Sequence, residues 1–259
     1  MDSQSRDNQK ISLELLNQKK YMKILCYPIP KTEEFKRRLK ELETLNVTEI
    51  EFTGTKQVCS IPVLGKGYVG IVVKAHRKNQ KIALKIRRID SNRQSMEHEA
   101  EMLRKANSVN VGPKLIGATK NFLLMEYIEG ILLSDWLRIL EGKSTRNRLR
   151  HVLRSILEQG WKLDKMGLDH GELSHAPKHI IIKPNDTPYL VDFETASISR
   201  HVSNVTSLCQ YLFIGSPLAQ LIQRKLDVIK RDNLVNALRS YKKNRIRRNF
   251  QAVLEKCGL

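Results

Sequence analysis

The chain has 259 residues, 41% hydrophobic and 28% charged, the balance of a globular protein with a core in one domain or two small lobes. Its formal net charge of +19 points to a polyanionic partner (nucleic acid, a nucleotide or an acidic protein), against the plainer reading of a solvated basic surface. No run of about 18 apolar residues occurs, so no membrane partner is expected. Cys26, Cys59, Cys209 and Cys257 are scattered without a Cys-x-x-Cys pair, which argues against a zinc or thioredoxin-like site and for thiols in a reducing compartment.

In chain order, Met1–Lys10 is polar, lacks the apolar stretch of a secretory signal and is expected to be disordered; a cytoplasmic protein follows. Ile11–Leu25 predicts a helix that Pro28 and Pro30 stop. Thr32 is placed as the N-cap of a second helix, whose buried side is Phe35, Leu39, Leu42 and Leu45. Val47–Phe52 and Val58–Leu64 predict strands, as do Ile71–Ala75 and Lys81–Ile86 around a polar turn at His76–Gln80. Ser91–Ala106 predicts a helix with Met96, Ala100 and Leu103 on one face. Lys114–Ala118 and Phe122–Met125 are short strands, and composition shifts near Glu129-Gly130 from strand-rich to helix-rich. Beyond it, Trp136 with Leu137 and Val152 with Trp161 mark two helices, both tryptophans being core residues. Ile180–Asp192 is a strand-like island with a turn at Pro184-Asn185-Asp186, and Val202–Leu259 is helical and basic.

The most specific motif is Leu64-Gly65-Lys66-Gly67-Tyr68-Val69-Gly70-Ile71-Val72. A dinucleotide fingerprint needs its glycines to open a helix, and a P-loop needs G-x-x-x-x-G-K-[ST]; here the glycines run into a strand. A glycine loop joining two strands, followed by a lysine on the second strand (Lys85), suits a flap over phosphates. Glycine backbone can approach phosphate oxygens closely, and the ammonium supplies a point charge. Glu99, at the border of the next helix's buried face, is placed to pair with Lys85. Two further clusters follow: Asp169-His170-Gly171-Glu172-Leu173-Ser174 after the long helix, and Tyr189-Leu190-Val191-Asp192-Phe193-Glu194 at the end of a strand, its acid placed to hold Mg²⁺.

From Leu64 to Phe193 these motifs resemble, in order, those of the protein-kinase-like superfamily, closest to the atypical RIO kinases, the small kinases of the KEOPS complex and their archaeal relatives. The resemblance implies a bilobal α+β fold: an antiparallel sheet with one main helix, then a mostly helical lobe. Residues 1–60 are then a helical extension leading into the first strands, 61–128 the first lobe and 129–259 the second. It implies ATP and Mg²⁺ (or Mn²⁺) as cofactors. Leu64, Gly65, Gly67, Gly70, Val72, Ala83, Lys85 and Glu99 match the nucleotide-binding positions. Backbone groups of Glu126 and Ile128 match the adenine-binding hinge. His170-Gly171-Glu172 matches the catalytic loop, with His170 as brace and Glu172 as proton acceptor, and Asp192-Phe193 matches the metal-binding pair.

Three departures stand out. Glu172 replaces the catalytic aspartate, and the extra methylene shifts its carboxylate by about 1.5 Å, where a misplacement of about 1 Å costs roughly 100-fold. Pro177 falls where the second metal ligand is expected; a slightly longer loop puts His179 there, as metal ligand or phosphate contact. Glu194 replaces a glycine. The resemblance implies a serine/threonine protein kinase acting on a protein or on itself. The long docking segment of peptide kinases is missing, as in the RIO group, in which ATP turnover can act as a switch. The alternatives are a small-molecule kinase and a catalytically weak nucleotide-binding switch that associates with RNA or ribosomal particles. The basic runs Lys143–Arg154 and Tyr241–Phe250 would serve the latter through phosphate contacts.

Overall fold

The computed structural model describes residues 9–226 and 230–259; of the segment expected to be disordered, residues 1–8 lie outside the described residues. The chain is α+β and folds as two compact units, Met1–Glu101 with Lys114–Tyr127, and Met102–Pro113 with Ile128–Leu259.

The first unit runs β1 (Gln9–Ser12), a 3-10 turn (Leu13–Asn17), α1 (Lys19–Leu25), α2 (Thr32–Thr44), β2 (Glu49–Phe52), β3 (Lys56–Val58), β4 (Ile61–Val63), β5 (Gly65–Lys66), β6 (Gly70–Arg77), β7 (Gln80–Arg87), the start of α3 (Glu97–Ser108, of which the part from Met102 belongs to the second unit), β8 (Leu115–Ala118) and β9 (Phe122–Glu126). Its antiparallel sheet has the order β1-β2-β6-β7-β9-β8, with β5 also pairing β6. Alternation along the strands separates two faces. One face carries Ile50, Phe52, Ile71, Val73, Ala75, Ile82, Leu84 and Ile86 and is covered by Tyr21, Ile24 and Leu25 of α1 and by Phe35 and Leu42 of α2. Tyr21 stacks on Phe52 with ring centroids 5.1 Å apart. The opposite alternation of the same strands carries Val72, Ala83 and Lys85.

Four expectations are corrected here. Ile11–Leu25 is not one helix: Ile11 is buried as a strand residue opposite Ile50, and Gln18 is extended (ψ 134°), so only Lys19–Leu25 is α-helical. Thr32 is the first helical residue of α2, Lys31 is the N-cap, and no side chain caps the end. Val58–Leu64 is interrupted by a hairpin turn, because Cys59 and Ser60 both take positive φ (50° and 64°) and reverse the chain between β3 and β4. The helix expected from Ser91 begins only at Glu97. Before it, the Ser91 hydroxyl accepts from the Arg93 amide and Arg87 donates to the Arg93 carbonyl, a local bonding pattern that competes with a helix.

α2 also buries a cation. Arg38 is fully buried, donating to the carbonyls of Leu25 and Arg87 (2.6 Å for the latter), to Asn121 Oδ1 (3.0 Å) and to Glu34 (2.8 Å). Asn121 Oδ1 also accepts from Arg87, and Glu41 accepts from the Asn121 amide and side chain. Burial, and then the charge of Arg38, push the Arg87 pKa down.

The second unit contains β10 (Ile131–Leu132), α4 (Leu133–Ile139), α5 (Thr145–Met166), a 3-10 turn (Leu173–Lys178), β11 (Ile180–Ile182), β12 (Pro188–Leu190), α6 (Asn204–Cys209), a π turn (Gln210–Ile214), α7 (Pro217–Lys225), α8 (Arg231–Lys243) and α9 (Arg247–Lys256). Its sheet has the order β10-β11-β12. α5 supplies the spine of the core through Leu149, Val152, Leu153, Ile156, Leu157 and Leu163. Its Gln159 donates to the Pro188 carbonyl (2.8 Å) and accepts from the Leu190 amide (3.3 Å), occupying the outer edge of β12. Asp164, buried, accepts from Tyr241 Oη (2.8 Å) and from the amide and side chain of Asn204, joining α5 to α6 and α8. Trp136 is core, as expected, with its Nε1 donating to Asp186, while Trp161 is half-buried beneath the Arg247 guanidinium. Among the described residues no single helix is long and apolar enough to cross a membrane.

Candidate functional site

In the first unit the glycine hairpin forms where the sequence places it. Leu64 donates its amide to the Val72 carbonyl (2.9 Å), Gly65 pairs with Val72, and the Gly67 amide donates to the Gly70 carbonyl (2.8 Å). The Gly67 amide is therefore used inside the hairpin, whose tip, Tyr68, is 92% exposed. Gly70 is needed for space: a Cβ there would lie 3.0 Å from Lys85 Cγ and 3.0 Å from the Ile86 carbonyl oxygen. Lys85, on β7 opposite Val72, passes directly against this glycine. Its ammonium lies 2.9 Å from the Glu99 carboxylate, and both side chains are 6% exposed. Ala83, buried, sits two residues earlier on the same strand. Glu126 closes β9, its amide donating to the Lys114 carbonyl, and Ile128, buried, is the first residue of the next segment of the second unit.

The hairpin has an anchor that the sequence did not signal. Lys66, between two of the glycines, donates to Tyr27 Oη (2.9 Å) and stands over the Tyr27 ring. Arg88 donates to the Gly67 carbonyl (3.0 Å) and pairs with Asp90 (2.9 and 2.7 Å). Tyr27 precedes Pro28, which sequence reading used only as a helix stop; a tyrosine beside the flap cations becomes visible only when the sheet brings residue 27 to residue 66.

In the second unit, His170 is fully buried and its Nε2 donates to the Val191 carbonyl (3.2 Å). Its amide donates to Asn204 Oδ1 (2.8 Å), and its ring lies 4.8 Å from that of Phe193. Burial, reinforced by the nearby His179, lowers the His170 pKa from the ordinary 6.5 to about 4. The ring is thus a neutral brace at neutral pH and not a base. The native state resists a proton that the unfolded chain accepts below pH 6.5. Stability is therefore expected to fall by roughly 1.4 kcal/mol per pH unit as pH drops from 6.5 towards about 4, and to be insensitive to His170 above that window. Urea unfolding of the wild type and of His170→Gln at pH 7 and pH 5 checks this: the loss of stability between the two should be smaller in the variant by roughly 2 kcal/mol.

Glu172 and Asp192 flank His179. The imidazole Nε2 is 4.0 Å from Glu172 and Nδ1 is 3.6 Å from Asp192. The ring is buried, while the two carboxylates are about one-third exposed. Asp192 adopts φ +72°, a left-handed conformation uncommon for a non-glycine residue and frequent where function fixes the backbone. Gly171, φ +88°, turns the loop before Glu172; a Cβ there would meet Arg200 and Thr195 at 2.5 and 2.7 Å. Asp169 is a loop anchor: it accepts from Arg200 (3.1 Å) and from the Ser203 amide (3.0 Å). Asn204, which holds the His170 amide, was missed by sequence reasoning; its position at the polar start of an apolar helix was the available signal.

The basic runs are partly consumed internally. Arg148 pairs with Asp186 (2.6 Å), Arg247 holds Glu158 through two bonds (2.6 and 2.7 Å), and Arg245 donates to the Val202 carbonyl. Residues 244–246 also separate α8 from α9, so Tyr241–Phe250 is not one helical face. For a divalent cation, the carboxylate of Asp192 offers the hard oxygen donors that Mg²⁺ prefers, whereas the His179 nitrogens are softer donors.

Comparison with known proteins adds two findings. A family model of the RIO domain matches residues 71–209. An uncharacterized protein of Methanocaldococcus jannaschii is 30% identical over 104 residues, which span 40% of this chain and 84% of that protein.

Proposed function

Because this chain belongs to the RIO-domain family, an atypical protein-kinase-like family, we infer that it is an ATP-dependent phosphotransferase acting on serine or threonine hydroxyls of a protein or of itself. The observation that carries this reading is the buried Lys85–Glu99 pair set against Gly70. A buried lysine held by a carboxylate beneath a glycine hairpin is arranged to present fixed positive charge to phosphates. In this reading Gly65, Gly67 and Gly70 cover the phosphates, Lys85 binds them, Glu99 orients Lys85, and Leu64, Val72 and Ala83 with the backbone of Glu126 and Ile128 receive the adenine. Asp192 would hold Mg²⁺, which would offset phosphate charge, and His179, beside Asp192, would serve as a further ligand or as a phosphate contact. Glu172 accepts the hydroxyl proton as the acceptor oxygen forms its bond to the γ-phosphorus, the bond to the β–γ bridging oxygen breaks, and ADP leaves.

The test is transfer of label from γ-labelled ATP with Mg²⁺, using Glu172→Gln, which keeps the shape and removes the base. Transfer is expected to fall at least about 100-fold while nucleotide binding persists. An unchanged rate would remove Glu172 from the mechanism. One observation favours a second reading: the glutamate at position 172 and the proline at 177 both weaken the catalytic loop. A nucleotide-binding switch associating with RNA would bind ATP without transferring label. Arg245 and Arg247 brace the second unit, so an RNA test is better made by neutralising the exposed Lys242, Lys243 and Arg248.

A further inference from the structure

A hollow of about 370 Å³ lies within the second unit, beside the 3-10 turn that follows Glu172. Its first lining residue, Ser174, is two positions from Glu172, and two residues of chain reach at most about 7 Å. Its floor is aliphatic: Ile214 from the π turn, and Val235 and Leu238 from α8. The π turn, Gln210–Ile214, is a local widening of the helix of a kind frequently found at functional sites. On the rim stand Arg239 and Lys242, one helical turn apart on α8 and both exposed. Arg239 reaches only the uncharged Asn236 (3.4 Å), and among the described residues no carboxylate pairs with either cation. Among the described residues, no acidic residue and no aromatic ring lines the hollow.

These features select one kind of occupant. The volume is at the small end of ligand pockets, about 300–1,000 Å³, enough for a side chain and its neighbour. An aliphatic floor with a doubly cationic rim complements an apolar residue next to an acidic one. Single-stranded RNA is a poorer match, since its bases are held by stacking on rings, and the described lining residues offer none. An extended polypeptide advances about 3.3 Å per residue, so a chain with its hydroxyl at Glu172 reaches the hollow two to four residues away. We propose that this hollow recognises the acceptor polypeptide, taking an aliphatic side chain two to four residues from the phosphorylated hydroxyl, with an adjacent Asp or Glu held by Arg239 and Lys242. The assignment rests on the phosphotransferase reading for the identity of the acceptor; the binding itself does not require transfer.

The experiment uses the full chain and a peptide library with a fixed central serine and all other positions degenerate, read by affinity capture and sequencing. Capture on Glu172→Gln keeps binding apart from catalysis. Enrichment of Leu, Ile, Val or Met with a neighbouring Asp or Glu is expected two to four residues from the serine. The variant Arg239→Glu/Lys242→Glu, whose folding is checked by thermal unfolding, should convert the acidic preference into a Lys/Arg preference of about tenfold, while the aliphatic preference stays. No enrichment, or an acidic preference unchanged in the charge-reversed variant, overturns the proposal. So does displacement of captured peptides by poly(U) RNA whose own binding is lost in that variant, which would assign the rim to RNA. Selective capture without any label transfer leaves the hollow standing and defeats the phosphotransferase reading; transfer without sequence preference does the reverse.

Discussion

Replacing Lys85 with methionine is expected to reduce label transfer at least about 100-fold and, separately, to destabilise the fold by about 3–5 kcal/mol. The two losses have one cause. Lys85 and Glu99 are each 6% exposed and 2.9 Å apart, so removing the ammonium leaves a carboxylate in low dielectric without the cation that offset its desolvation. Methionine fills most of the space beside Gly70, which limits any cavity contribution. The double variant Lys85→Met/Glu99→Leu removes both charges and is expected to regain most of the stability, because an apolar pair of similar size costs little where an ion pair was buried. It should regain no transfer. Urea unfolding and label transfer measured on the same three proteins separate the roles. Equal stability of Lys85→Met and wild type would refute the buried-pair account, and transfer by the double variant would refute the phosphate role of Lys85.

Arg38→Leu should cost about 3 kcal/mol or more, although it lies on a helix that would pass for an ordinary amphipathic element. The guanidinium serves the carbonyls of Leu25 and Arg87, Asn121 Oδ1 and Glu34. Leucine leaves carbonyls of two different elements without that donor, at about 1–3 kcal/mol for each buried group left unsatisfied. One term offsets part of this: Arg38 and Arg87 share Asn121, and removing one cation relieves the other. Arg38→Lys is expected to rescue little, since an ammonium cannot reach four acceptors in the geometry of a planar fork. The midpoint of urea unfolding, with unchanged slope, measures the effect. A fall below about 1 kcal/mol would mean that water replaces the guanidinium.

Where sequence and structure agree, a local rule was sufficient. The hairpin expected around His76–Gln80 forms, its turn tightened to Lys78-Asn79 with φ 46° and 64°, while Arg77 pairs with Gln80 in the strands. The β11–β12 hairpin forms around the predicted Pro184-Asn185-Asp186 turn. Where they part, the deciding partner is distant in the chain. Ile11 has helical neighbours, yet pairs with Ile50. Arg38 is one of four basic residues in the stretch 36–40, and nothing local separates it from Arg37; only docking of α2 onto the sheet buries one and leaves the other exposed. Cys59-Ser60 carries no glycine or asparagine, the usual mark of a turn with two positive φ values. In the site, the Lys85–Glu99 pairing followed from strand and helix periodicity. The position of His179 between Glu172 and Asp192 did not, because it depends on how the loop after Glu172 returns to β11.

The helices α1 and α2 seal one side of the sheet, and the family match begins only at Ile71. The stretch that the family model matches is therefore shorter than the stretch that packs together. A recombinant fragment trimmed to the matching region would present Ile71, Val73, Ala75, Ile82, Leu84 and Ile86 bare to solvent, an invitation to clump. The matching region thus depends for its folding on a segment that precedes it in the chain.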